Sequence, residues 1–415
     1  MRITLVFCAV AVMVPLSARS QQEPRPQADS ARRADSLARE DSIAIARDLG
    51  QPATQPMTPQ PGPTNPRLLP DISVVGDFVA DFSPKGTTQE DGARFSVREI
   101  ELAFQAAVDP YFRGDIFLGV SDAEGIAIEQ GYLTATALPH QLELRAGRWL
   151  MPFGKQNTVH RHDLHTIDYP YVLQRFLGEE GGRGTGLWVG RIFSPFGFYQ
   201  ELIVTAIDRL GEAPEDLTTE EPLNKKLGGL GYSARFRNYW DVNESTNFEL
   251  SFSGMTGKRE RELVDPFTGS SGATVNAVGT KQSVFGTDLT FRWRPLQQGL
   301  YKSFILQAEY MRQVNSDAPG LVAPVRDYNG GYVFARYQVS RRGYLGVRYD
   351  GFQDPELGEG RYTHAGSAYL EFFPSEFSKL LAAYERYAPP GGIERTNRIL
   401  VQATFALGPH KPHPF

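Results

Sequence analysis

From about Leu68 to the C-terminus, apolar and polar residues alternate in short runs separated by Gly, Pro, Asp and Asn. In "VREIELAFQAAVD", Ile100, Leu102, Phe104, Ala106 and Val108 make one face, and Glu99, Glu101 and Gln105 the other. Phe248, Leu250 and Phe252 likewise oppose Glu249, Ser251 and Ser253. Phe285, Leu289, Phe291 and Trp293 oppose Asp288, Thr290 and Arg292, and Ile399, Val401, Ala403 and Phe405 oppose Arg398, Gln402 and Thr404. A period of two is the strand signal. About sixteen such segments follow one another, starting near Ile72, Phe95, Phe112, Ile126, Leu142, Gly184, Tyr199, Leu230, Thr246, Ser283, Ser303, Gly331, Tyr344, His364, Ser378 and Thr396.

Most segments run to roughly ten residues, the length a tilted strand needs to cross a bilayer. Their connections alternate in length. Those at 109–111, 194–197, 340–343 and 374–376 are tight, whereas long loops lie near 151–183, 208–229, 256–282, 313–330 and 351–363. Short turns on one side and long loops on the other predict an all-β, transmembrane antiparallel β-barrel of about 16 strands. An even strand number puts both ends of the barrel on the short-turn side. A soluble sandwich or propeller shares the alternation, but strand length, loop asymmetry and an export segment favour the membrane barrel.

That export segment is residues 1–20, "MRITLVFCAVAVMVPLSARS": a positive Arg2, an apolar core and a small-x-small cleavage site. Cys8, the single cysteine, falls inside it, so the exported chain is expected to carry no disulfide and no cysteine-bound metal. Residues 21–67 come next. Their 28–49 portion reads equally as a short polar helix or a disordered charged arm, and the stretch from Gln51 to Pro66 as an extended Pro-rich linker. The barrel domain is expected over 68–415. A net charge of −5 gives no reason to expect a nucleic-acid partner, and no long apolar run for a membrane-spanning helix follows the first twenty residues.

The segments "RFSVREIELAFQAAVDPYFRGDIFLG" (94–119), "LELRAGRWLMPFGKQN" (142–157) and "RILVQATFALGPHKPHPF" (398–415) resemble the phosphate-selective porin-like family of Gram-negative outer membranes. The resemblance covers roughly residues 70–415 and leaves the prefix outside. It implies a sixteen-stranded outer-membrane pore, commonly a homotrimer, that passes small hydrophilic solutes or ions. It also implies an aromatic C-terminus, here Phe415, read by the outer-membrane assembly machinery. Finally, it implies an inward-folded third external loop that narrows the channel, which corresponds here to 151–184.

Two sets of residues are candidates for shaping passage. With apolar faces toward lipid, the lumen receives Glu99, Glu101, Asp115, Glu129, Glu143, Glu249, Asp288, Glu309, Asp350, Glu371 and Glu385. It also receives Arg145, Arg235, Arg237, Arg292, Arg336 and Arg348. Acids outnumber bases, and no nearly unbroken run of Arg and Lys replaces an anion's hydration shell. The chain therefore departs from an anion-selective lining, and phosphate is not carried over as its solute. The loop contributes Lys155, Arg161, Arg175 and Arg183 against Asp163, Asp168, Glu179 and Glu180, a formal balance.

The loop also holds "TVHRHDLHTIDYP", with His160, His162 and His165 close together. On a helix His162, His165 and Asp168 would share a face; in extended chain His160 and His162 would, without His165. Anchoring hydrogen bonds, pH-responsive pore lining and metal capture by His162, His165 and Asp168 are the open readings. No cofactor is assigned. A G-x-S-x-G, an H-E-x-x-H and a Ser-His-Asp grouping are all absent, so an enzyme is not expected. A gated receptor would need about twenty-two strands and a plug domain, for which the chain has too little length. A substrate-specific uptake protein using the His-rich loop, for a metal ion or another solute, is the alternative to a general porin. A structural barrel with a closed lumen is a lesser one.

Overall fold

The computed structural model describes residues 70–408 apart from 90–91, 122–124, 209, 211–228, 262–277, 317–325, 356 and 358–359. The export segment, the polar prefix and linker, His410, His413 and Phe415 lie outside the described residues. Sixteen strands form in chain order. The first eight are β1 (Asp71–Asp81), β2 (Phe95–Ala107), β3 (Phe112–Ser121), β4 (Gly125–Ala135), β5 (Leu142–Leu150), β6 (Arg183–Phe193), β7 (Tyr199–Ile207) and β8 (Gly231–Asn243). The rest are β9 (Thr246–Arg261), β10 (Val278–Trp293), β11 (Phe304–Asn315), β12 (Tyr328–Gln338), β13 (Gly343–Gln353), β14 (Tyr362–Ser375), β15 (Ser378–Ala388) and β16 (Thr396–Leu407). Every strand pairs with its sequence neighbours, and β1 pairs antiparallel with β16, so the sheet closes into a barrel. Closure removes both sheet edges, which is what lets a β-sheet stand in lipid.

Alternation is clear along the wall. In β14 exposed and buried residues take strict turns from Tyr362 to Phe373. The outward set includes Leu370, Phe372, Leu380, Val347, Tyr349 and Phe252, all well exposed apolar groups in the isolated chain. The inward set includes Glu101, Asp288, Glu309, Arg348, Asp350 and Glu371, all buried. Apolar out and polar in is the inverse of a soluble barrel.

One expectation about the interior needs correction. The inward face is not uniformly polar: Tyr332, Phe334, Phe352, Tyr369, Leu381 and Leu400 point inward and are buried. They belong to a single apolar cluster with Met151, Phe153, Leu164, Ile167, Tyr171, Val172, Leu173 and Phe176 of the β5–β6 connection. The core of this molecule therefore lies inside the barrel, between its wall and one loop.

Most strands start where the alternation places them, and β10 and β12 start earlier. The extra length of β10 pairs Val278 with Arg261 and Lys281 with Lys258. Lys258 and Lys281 are exposed, and the apolar alternation breaks off there, so the pattern did not announce the extension. The β3–β4 connection is a second exception, since β3 ends at Ser121 and β4 begins at Gly125 on the long-loop side.

Candidate functional site

The β5–β6 connection, residues 151–182, carries most of the candidate residues outside the wall. Its neck is tied by Asn157, which is fully buried. Asn157 Nδ2 donates to the carbonyls of Met151 at 2.8 Å and Gly182 at 3.0 Å, and Oδ1 accepts from Gly182 N at 2.7 Å. Met151 N also donates to Gly182 O at 2.8 Å. The chain between makes two single-turn 3₁₀ segments and one short helix, α1 (Tyr171–Leu177). Pro170 precedes α1, and Gly178 ends it with φ 135°, a conformation that side chains disfavour.

From that neck the loop runs inside the barrel. Its apolar residues bury against the inward aromatic patch: Tyr171 stacks on Phe352 with centroids 5.6 Å apart, and His165 lies against Phe334 at 6.4 Å. Apolar side chains in an external loop gain nothing in water, whereas burial stabilises each by about 1.5–3 kcal/mol. That asymmetry drives the loop inward. Polar groups then fix its position.

At its first end the loop meets β9 and β11. Gly154 N donates to Ser253 Oγ at 3.0 Å, and Gln156 Nε2 to Gln307 Oε1 at 2.5 Å. Lys155 Nζ donates to Glu249 Oε1 and Oε2 at 3.0 and 3.1 Å. Glu249 also faces Arg237 at 3.0 Å, Arg292 at 3.6 Å and Arg235 at 3.7 Å. Burial lowers the Lys155 ammonium to about 8, overcoming the opposing pull of Glu249.

At its other end the loop meets β1, β2 and β13 to β16. Asp168 accepts from Arg98 at 3.0 Å, Arg161 at 3.1 Å and Arg398 at 3.0 Å. Burial works against its charge, but the guanidiniums of Arg398, Arg161 and Arg98 hold its pKa well below the usual carboxylate range. Arg348 donates to Asp168 O at 2.8 Å, and Arg98 to Ile167 O at 3.0 Å. Lys379 Nζ donates to the carbonyls of His162 at 2.6 Å and Leu164 at 2.8 Å. Tyr171 N donates to Asp350 Oδ1 at 3.0 Å, and its hydroxyl to Glu385. Arg175 sits 3.4 Å from Asp354.

The histidines separate. His160 and His162 lie together, ring centroids 5.4 Å apart, and His160 Nδ1 is 2.6 Å from Glu101 Oε2. His165 turns away to Glu371, 3.5 Å off, and Asp168 is held by its arginines. The trio His162, His165 and Asp168 is therefore not brought together, because wall cations claim Asp168 and the apolar patch claims His165. Asp163 stays beside His162 at 3.8 Å.

The wall candidates divide as well. Asp115 pairs with Arg113 at 2.9 Å, and Glu143 with Arg145 at 2.6 Å, both within the wall. Arg145 also covers the Tyr132 and Trp188 rings. Asp288 faces Arg235 at 3.8 Å, Arg336 pairs with Glu371, and Arg348 with Asp350 at 2.7 Å. A Cβ on Gly119 would come within 3.2 Å of Glu99 Oε1, so Glu99 lies over the inward face of β3.

A cavity of about 300 Å³ opens at the long-loop end, bounded by Arg98, Arg161, Arg175 and Arg398 and by Asp168, Glu179 and Glu180. Asp168 and Arg398 also border a much smaller gap of about 10 Å³, with Arg348, Tyr369 and Glu385. That is room for about one water.

Sequence reading missed Arg98, Lys379, Asp77 and Asn157. Arg98 shares the sequence parity of the lipid-facing Ile100. A β-bulge skips it, since Asp77 pairs with Glu99 and Phe78 with Val97, and Arg98 turns inward to Asp77 at 2.5 Å. Lys379 has the parity of Glu385 and was legible.

No protein-family model matches the chain. An uncharacterized protein of Aquifex aeolicus (strain VF5) is 26% identical over 343 residues, covering 77% of this chain and 70% of that protein. Among solved structures, OmpT, an outer membrane protein of Vibrio cholerae, aligns in a loop-L8 deletion form with TM-score 0.53 and 12% identity, over 81% of this chain and 99% of that one. Its in-vitro folded trimer form gives 0.51 and 11%, over 81% and 99%. The outer membrane channel DcaP of Acinetobacter baumannii gives 0.51 and 14%, over 81% and 96%. At such identities the likeness is one of fold: this chain is a closed sixteen-stranded barrel similar to those of these outer-membrane proteins.

Proposed function

We propose that this protein is an outer-membrane porin, a passive diffusion channel for small hydrophilic solutes or ions, with residues 151–182 as its constriction. The observation that carries the reading is the loop itself. It buries its apolar residues inside a barrel whose outer face is apolar, and it leaves a charged cavity bounded by Arg98, Arg161, Arg398 and Asp168. Solutes enter the cavity at the long-loop end, where Arg98, Arg161, Arg398 and Asp168 stand beside the loop. Acids and bases alternate along this route, so the pore favours small size more than one sign of charge. Phosphate selectivity gains no support from such a lining.

Export by residues 1–20, assembly through Phe415 and a homotrimer in outer-membrane lipid complete the proposal. The trimer form of OmpT, a barrel of like fold, supports the last of these. The role is transport, with no enzymatic step. Planar-bilayer recording of the purified protein tests it: small, discrete, ohmic steps are expected, and a silent bilayer would overturn the reading.

A further inference from the structure

His160 and His162 have a setting that solute passage does not require. One ligand atom from each of Glu101, His160 and His162 lies within 4.8 Å of the others. The Glu101 and His162 side chains are 0% and 1% exposed, and His160 alone reaches the lumen, at 17%. Asp163 stands next to them, its Oδ2 3.8 Å from His162 Nε2. Its other oxygen is buried and has no hydrogen-bond partner among the described residues.

The backbone here is held from outside. Lys379 fixes the carbonyls of His162 and Leu164. The Gln130 side-chain amide lies 2.6 Å from His160 Nε2, which leaves Nδ1 as the atom turned toward Glu101.

We propose that Glu101, His160 and His162, with Asp163 as a fourth donor, bind one borderline divalent cation of the Zn²⁺ type and so clasp the loop to β2. Two imidazoles with carboxylate suit such a cation, whereas Ca²⁺ and Mg²⁺ take oxygen donors almost exclusively. One divalent charge neutralises the Glu101 and Asp163 carboxylates in a site with little water. A cation at Nδ1 replaces the proton now shared with Glu101. That proton moves to Nε2, keeping the ring neutral, and is received by Gln130 Oε1, which gives up its 3.2 Å bond from Leu150 N as the amide turns over. The exposed edge of His160 gives the ion its route in from the lumen. The site stands whether or not the barrel conducts.

The test uses the full-length protein in detergent, stripped with a chelator and titrated with Co²⁺ and then Zn²⁺. One Co²⁺ per chain should give the visible absorption of a four-coordinate site, and Zn²⁺ should displace it. His162→Gln or Glu101→Gln should weaken binding at least about tenfold, and His165→Gln should leave it unchanged. Circular dichroism and heat-modifiable migration check that each variant is folded. If His162→Gln fails to fold, the unaltered protein decides: Zn²⁺ should protect His160, whose edge is exposed, but not His364, from diethyl pyrocarbonate. Absence of the band, its survival in folded His162→Gln, its dependence on the tail residues His410 and His413, or lack of protection would each overturn the proposal.

Discussion

The loop is tied to the barrel at two ends by opposite arrangements of charge. At Lys155 it brings a cation to Glu249, an acid that the wall already surrounds with Arg235, Arg237 and Arg292. At Asp168 it brings the anion, and Arg98 and Arg398 of the wall converge on it with Arg161 of the loop itself. The first contact is redundant, because Glu249 keeps its partners without Lys155. The second is only partly so: Arg98 keeps Asp77 at 2.5 Å, Arg161 keeps Glu180 at 3.6 Å and Arg398 keeps Glu385 at 3.1 Å, but among the described residues Asp168 alone joins all three guanidiniums. Counting ion pairs would rank the two ends alike, but asking what is left when each pair is broken separates them.

The sharpest way to break this contrast is Asp168→Asn. It leaves three arginines around a small cavity with one other acid each, so the cost falls at the low end of the range for a broken buried pair, about 3 kcal/mol. Chemical-denaturant unfolding should show that loss, and the reversal potential in a salt gradient should move toward anions. Next is Asn157→Ala. It removes three hydrogen bonds at the neck and should cost about 2–3 kcal/mol, read as faster proteolysis within 151–182. Tyr171→Phe follows, removing one hydroxyl shared by Glu385 and Arg398, with a cost of about 1 kcal/mol in the same unfolding measurement.

Lys155→Met should be the mildest, at under about 1 kcal/mol. Its signature is in pH. The folded Lys155 titrates near 8 and the unfolded one near 10.5, so the unfolded chain holds the extra proton between those values. Stability should therefore rise with pH across that window. Loss of the lysine charge above pH 8 should also increase cation preference, since Glu249 then faces only its arginines. Both changes should disappear in Lys155→Met. A titration that persists in the variant would place its origin elsewhere.

How much of this was legible follows the physics of each part. The strands were, because a bilayer on one side and water on the other impose period two. The upper end of β10 was not, since the apolar alternation breaks off at Lys281. The loop's inward course was legible from its apolar content, in Phe153, Leu164, Ile167 and Leu173. Its landing place was legible only by parity: Tyr332 and Phe334 share the side of Arg336, and Phe352 that of Asp350, but nothing in the sequence says that the loop packs on them. Arg98 was hidden for a different reason, since one bulge reverses its side without altering its neighbours' pattern. The histidines were legible as a cluster but not as a partition, because Glu101, Glu371 and the arginines that sort them are distant in sequence.

The central claim is that the loop within the barrel is what limits passage. Met151 and Gly182 are already joined by a hydrogen bond at the neck, so residues 155–178 can be replaced by a short Gly-Ser link while both strands stay intact. Planar-bilayer conductance of this variant beside the unaltered protein is the direct test. The account predicts small discrete steps from the unaltered protein and several-fold larger steps from the variant. Equal steps from both, or none from either, would contradict it.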